Sequence, residues 1–68
     1  MNEDALNTSV RKFLKKVGVT AQREIEKAVR DAVSSGRLTG REALPAKASI
    51  VISGVSLSFE VDGAIELE

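Results

Sequence analysis

At Pro45 the hydrophobic period of this chain changes from that of a helix to that of a strand, and few small folds accommodate both halves. Before Pro45, apolar residues return every three or four positions. After it they alternate: Ala48, Ile50 and Ile52 stand between Lys47, Ser49 and Val51, and Val55, Leu57, Phe59 and Val61 alternate with Ser56, Ser58 and Glu60. A helical first half followed by half-buried antiparallel strands makes an α+β chain.

The helical half divides at Gly18. Leu6, Val10, Phe13, Leu14 and Val17 share one face of a helix over about 3–17, with Asn2 as N-cap and Glu3 and Asp4 complementing its dipole. Gly18 is of the type that ends a helix in the left-handed conformation, with Val19 folding back after it. Thr20 then caps a second helix over about 21–35, whose stripe is Ala21, Ile25, Ala28, Val29, Ala32 and Val33 and whose end is Gly36. So short a linker predicts an antiparallel helical hairpin.

Residues 36–46 read as a loop by their Gly and Pro content, with Leu38 and Leu44 tucking its ends inward. Strands are expected over about 47–53, 55–60 and 64–67. A two-residue Ser53-Gly54 turn sets Ile52 opposite Val55, Ile50 opposite Leu57 and Ala48 opposite Phe59. A three-residue Val61-Asp62-Gly63 turn, with Gly63 left-handed at a bulge, sets Phe59 opposite Ile65 and Leu57 opposite Leu67. The predicted fold is a single domain over 1–68, a two-helix hairpin packed on one face of a three-stranded antiparallel meander, in the order ααβββ.

Composition removes whole classes of chemistry from the expectation. With 68 residues the core is thin, and neither Cys nor His is present to act as thiolate, general base or zinc ligand. Phe13 and Phe59 are the sole aromatic residues, a poor endowment for stacking bases. No run approaches the ~20 apolar residues of a membrane span. Met1-Asn2-Glu3-Asp4 lacks the basic-then-apolar order of a signal peptide, and the expected location is the cytoplasm. All ten Lys and Arg fall within residues 1–47 with six acids, a balance of +4, while residues 48–68 carry four acids and no base.

Arg11, Lys12, Lys15 and Lys16 form two i, i+4 rows opposite the apolar stripe and are the candidates for anion or partner binding. A solvated face accounts for them with no functional pressure and is the favoured reading: like-charge pairs cost roughly 0.2–0.5 kcal/mol each, and cations near a helix C-terminus return about 0.3–1 kcal/mol each. Val17-Gly18-Val19-Thr20 suggests a helix-turn-helix, but Glu24 stands where that motif needs an apolar residue, and strands replace its third helix. Ser9-Val10-Arg11-Lys12 has the S-x-x-K spacing of certain acyl-transfer enzymes without their partner motifs. Gly36-Arg37-Leu38-Thr39-Gly40-Arg41 resembles a phosphate loop one residue short, with no Lys-Ser/Thr after it. Glu60, Asp62 and Glu66 show no metal-ligand spacing.

Arg11 to Thr20, Gln22 to Val29, Leu44-Pro45, and Val61-Asp62-Gly63 with Ile65 together resemble a family of short, mainly proteobacterial proteins defined as a domain of unknown function. That resemblance implies a small stand-alone bacterial domain and transfers no catalytic, cofactor, metal or partner residue.

The expectation is therefore a non-enzymatic interaction module without cofactor or metal, the alternative being a nucleic-acid binder that uses the basic helix face. Self-association is expected through strand 47–53, an uncharged edge from Ala48 to Ser53 with Ile50-Val51-Ile52 at its middle. If the 36–46 loop covers that edge, the protein is a monomer.

Overall fold

A computed structural model describes residues 1–68, as helix α1 (Glu3–Ser34), strand β1 (Ala43–Ile52), a 3₁₀ turn (Ser53–Val55) and strand β2 (Leu57–Glu66). The chain divides into two compact units, Met1–Arg37 and Leu38–Glu68. The expected ααβββ meander is corrected on three counts: one helix replaces two, two strands replace three, and the sheet register differs.

The first unit is a 32-residue helix with both ends capped. The Asn2 side chain accepts a hydrogen bond from the Ala5 N–H at 3.1 Å, and the Leu6 N–H donates to the Asn2 carbonyl at 3.0 Å. At the other end, Gly36 adopts φ +80°, its N–H donating to Val33 and that of Arg37 to Ala32. This pair of bonds is a Schellman motif, and it requires the left-handed conformation that glycine adopts without strain.

Gly18 does not end a helix, and Thr20 does not begin one; both lie inside α1. Continuity wins for a physical reason. Gly costs about 1 kcal/mol relative to Ala within a helix, less than breaking the backbone ladder without a compensating core. Folding back would have placed a stripe rich in alanine, Ala21, Ala28 and Ala32, against the first, where little apolar area is gained. The stripe also crosses Gly18 in phase, since Ala21 follows Val17 by one helical turn.

In the second unit, β1 and β2 pair antiparallel over ten positions, from Ala43 with Glu66 to Ile52 with Leu57. Ile50 faces Phe59 and Ala48 faces Val61, not Leu57 and Phe59 as expected. The turn is longer than two residues because Ser53-Gly54 suits neither short hairpin turn: one needs positive φ at both positions, the other needs Gly first. A 3₁₀ turn instead leaves one residue left-handed, Ser56 at φ 53°, with its N–H directed at the Ser53 carbonyl 3.4 Å away. Val55 moves into the turn and no longer pairs.

The expected third strand is the end of β2. Asp62 and Gly63 sit in mid-strand, opposite Lys47 and Ala46. The apolar parity of Leu57, Phe59 and Val61 runs unbroken through Gly63 to Ile65, so a straight strand keeps every apolar residue on one face with no second turn to close. β1 starts earlier than expected, at Ala43, to meet it, and Pro45 is tolerated because it lies in an edge strand.

No residue of either unit is buried. Phe13 on the helix is 46% exposed and Phe59 on the hairpin 42%.

Candidate interaction surfaces

The four cations singled out in the sequence lie on α1, and neither of the two salt bridges in the structure, Arg30–Glu26 and Lys47–Glu60, involves them. Arg11, Lys12, Lys15 and Lys16 are all exposed. They crowd the N-terminal half of a continuous helix, whereas the expected two-helix fold set them beside a C-terminus. Gly18-Val19-Thr20 is helical, which removes the turn that a helix-turn-helix needs.

Ser9 is no poised nucleophile. Its hydroxyl donates to the Leu6 carbonyl at 3.0 Å, the local back-bonding that a helical serine commonly makes. Glu60, Asp62 and Glu66 do not converge either: Ser49 Oγ approaches Glu60 at 3.4 Å, Lys47 Nζ lies 3.9 Å from Glu60, and Asp62 stands opposite Lys47. No three acidic side chains gather in a way that would hold a metal ion.

The segment read as an imperfect phosphate loop holds the most ordered polar geometry in the molecule, and its anion is its own Glu42. Oε1 accepts from the Thr39, Gly40 and Arg41 backbone N–H groups at 3.1, 2.9 and 3.0 Å and from the Thr39 hydroxyl at 3.0 Å. Oε2 accepts from the Thr39 N–H at 2.8 Å. Gly40, at φ +96°, permits the backbone curvature that points successive N–H groups inward. The Thr39 backbone bond, followed by the smaller contributions of its neighbours, lowers the Glu42 carboxyl from 4.5 to about 2. Motif matching on Gly and Lys missed Glu42, although an acidic residue just after a Thr-Gly turn is a legible signal for such a cap.

A pH dependence follows. Because the folded carboxyl titrates below its unfolded value, its contribution is complete above about 4.5 and is lost as pH falls through about 2. The Thr39, Gly40 and Arg41 amide resonances are expected to move together in an NMR titration with a midpoint near 2. Glu42→Ala should give the low-pH positions already at neutral pH. A midpoint near 4.5 would show that the carboxylate is not held by these donors.

Two apolar surfaces remain. On α1, Leu6, Val10, Phe13 and Val17 lead into Ala21 and Ile25, and Phe13, Lys16, Val17, Thr20 and Ala21 line a shallow open groove. On the hairpin, Leu44, Ile50 and Ile52 share a face with Ile65, Phe59 and Leu57. The opposite face is polar apart from a few residues, among them Val51. Both elements are therefore amphipathic.

Helix-then-hairpin order with these two faces defines a small α+β chain. The chain belongs to DUF6494, a family of unknown function, whose model matches residues 1–68. No curated protein and no solved structure matches it. No helix is long and apolar enough to cross a membrane.

Proposed function

We propose that this chain is a non-enzymatic interaction module, whose two amphipathic units are completed by binding a macromolecular partner. One observation carries the reading: each unit, a single helix and a two-stranded hairpin, carries a continuous apolar face and has no second layer of its own to bury it against. A two-stranded hairpin is marginal in water without a covering layer, and a lone helix draws most of its stability from packing its apolar side. Function then lies in what covers the faces. The cytoplasm belongs to the same proposal, since a chain with no Cys depends on no oxidising compartment.

The test is unfolding of the full chain by urea and heat, followed by circular dichroism from about 5 μM to about 1 mM. Transitions that are shallow, or that sharpen with concentration, are expected of units awaiting a partner. A steep transition in a monomer, independent of concentration, would mean that the chain closes its own core and would overturn the reading. Micromolar duplex binding that falls steeply with salt and disappears on replacing Lys12, Lys15 and Lys16 by Gln would put nucleic-acid binding in its place.

A further inference from the structure

We infer that β1 pairs with the β1 of a second copy of this chain, antiparallel about a two-fold axis at Ser49, so that two hairpins join into one sheet. The inference goes beyond the interaction-module reading: it concerns the backbone edge of the hairpin, not an apolar face, and is tested separately.

The hydrogen-bond phase of the hairpin identifies the free groups. The Leu67 N–H donates to the Glu42 carbonyl at 3.0 Å, so these two residues are a bonded pair. The register is unbroken, so Leu44, Ala46, Ala48, Ile50 and Ile52 are the residues of β1 that bond to β2. The residues between them turn their N–H and C=O groups away from β2. Among these are Lys47, Ser49 and Val51, whose N–H groups have no partner within the chain. Pro45 falls in the same outward set, so its missing N–H costs the ladder nothing.

The two edges of this sheet differ. On β2 the outward set is Ser58, Glu60, Asp62, Ala64 and Glu66, acidic without a base, which repels a second copy of itself. On β1, Pro45 and Lys47 guard the start alone. From Ala48 to Ile52 there is no charge, proline or bulge, and Val51 within that stretch is 65% exposed. An edge of this kind is completed by an extended strand, which offers donors and acceptors at the same spacing. It also lifts the hairpin above the two-strand size that is marginal in water.

The strand that fits is β1 itself. With the axis at Ser49, Ser49 meets the partner's Ser49 and Lys47 meets the partner's Val51, each exchanging both its N–H and its carbonyl bond. Pro45 falls opposite the turn, where no donor is required. No charge opposes a like charge. On the apolar face Ile50 lies beside the partner's Ala48 and Ile52 beside the partner's Ala46, so each large side chain meets a small one. Moving the axis to Ala48 sets Val51 against the partner's Pro45, which cannot donate to it. Moving it to Ile50 sets Ile50 on Ile50 and Lys47 against the turn. Pairing β1 with the partner's β2 leaves a free edge at each end and propagates as a fibre, whereas the two-fold pair closes.

Sedimentation equilibrium of the full chain is expected to reach twice the monomer mass by about 1 mM. Between about 10 μM and about 1 mM the Lys47, Ser49 and Val51 amides should slow in hydrogen exchange by about tenfold or more, while those of Ser58, Glu60 and Asp62 stay unchanged. Ser49→Pro removes an outward N–H and should weaken the dimer on the order of 100-fold. The Val51–Ser58 Hα contact should persist in that variant, because the ladder to β2 does not use the Ser49 N–H. Val51→Lys, which faces the partner's Lys47, should weaken the dimer about tenfold. On oxidation Ser49→Cys should link to its own copy, the two Cα atoms lying about 5.5 Å apart, whereas Val51→Cys should not, at about 14 Å.

A monomer up to about 1 mM overturns the inference; if that monomer also unfolds without cooperativity, the interaction-module reading stands with a different partner. A dimer in which the Lys47, Ser49 and Val51 amides stay fast overturns pairing through β1. Self-linking by Val51→Cys in place of Ser49→Cys overturns the axis, and masses that grow past the dimer overturn the two-fold in favour of open β1–β2 pairing.

Discussion

Replacing Gly18 by Pro is expected to destabilise α1 by about 3 kcal/mol or more, and replacing it by Ala to stabilise it by about 1 kcal/mol. Gly18 lies mid-helix with no positive φ, and a Cβ built there meets no atom within 4 Å. Alanine therefore removes the entropic cost of glycine at no steric expense. Proline deletes the N–H that closes the ladder to residue 14 and places its ring against that carbonyl. Had Gly18 been a left-handed helix end, as its flanking residues suggest, both results would change: Ala would cost about 1 kcal/mol and Pro would be tolerated near the turn. The check is the midpoint of thermal unfolding followed at 222 nm. Loss of stability with Ala would reinstate two helices.

Gly63→Val is expected to strengthen the hairpin by about 1 kcal/mol. Gly63 sits within β2 opposite Ala46, outside the left-handed region, with open space where a Cβ would go. The two small residues leave a gap in the apolar face between the Leu44–Ile65 and Ala48–Val61 pairs. Valine fills that gap and suits extended backbone. In a three-stranded meander the same glycine would occupy a left-handed bulge, and valine there would cost about 1–2 kcal/mol. Amide exchange of Ala46 and Asp62 in the variant measures the difference directly. Faster exchange than in the parent would rule out the continuous strand.

The basic residues 11–16, singled out from charge spacing alone, occupy one helix as that spacing implied. Glu42 was invisible to the same reading because its role depends on backbone direction. Three N–H groups converge on it only once Gly40 takes φ +96°. The apolar stripe of α1 divides into two helices when its local caps alone are weighed. Its phase across Val17 and Ala21 was already in the sequence, but the caps offered by Gly18 and Thr20 outweighed it. The same substitution of local for global preference turned Asp62-Gly63 into a turn.

What the sequence by itself determined is what depends on neighbours a few residues away. That includes the helical period before Pro45, the alternation after it, the cap at Asn2, the helix end at Gly36, and the assignment of Ile50, Ile52, Leu57 and Phe59 to one face. Only the tertiary structure decided whether the helix passes through Gly18, how far β2 runs past Asp62, and which residue of β1 faces which of β2. Each local signal there is worth about 1 kcal/mol, and such a preference yields when continuing an element preserves more backbone bonds and keeps the apolar parity unbroken.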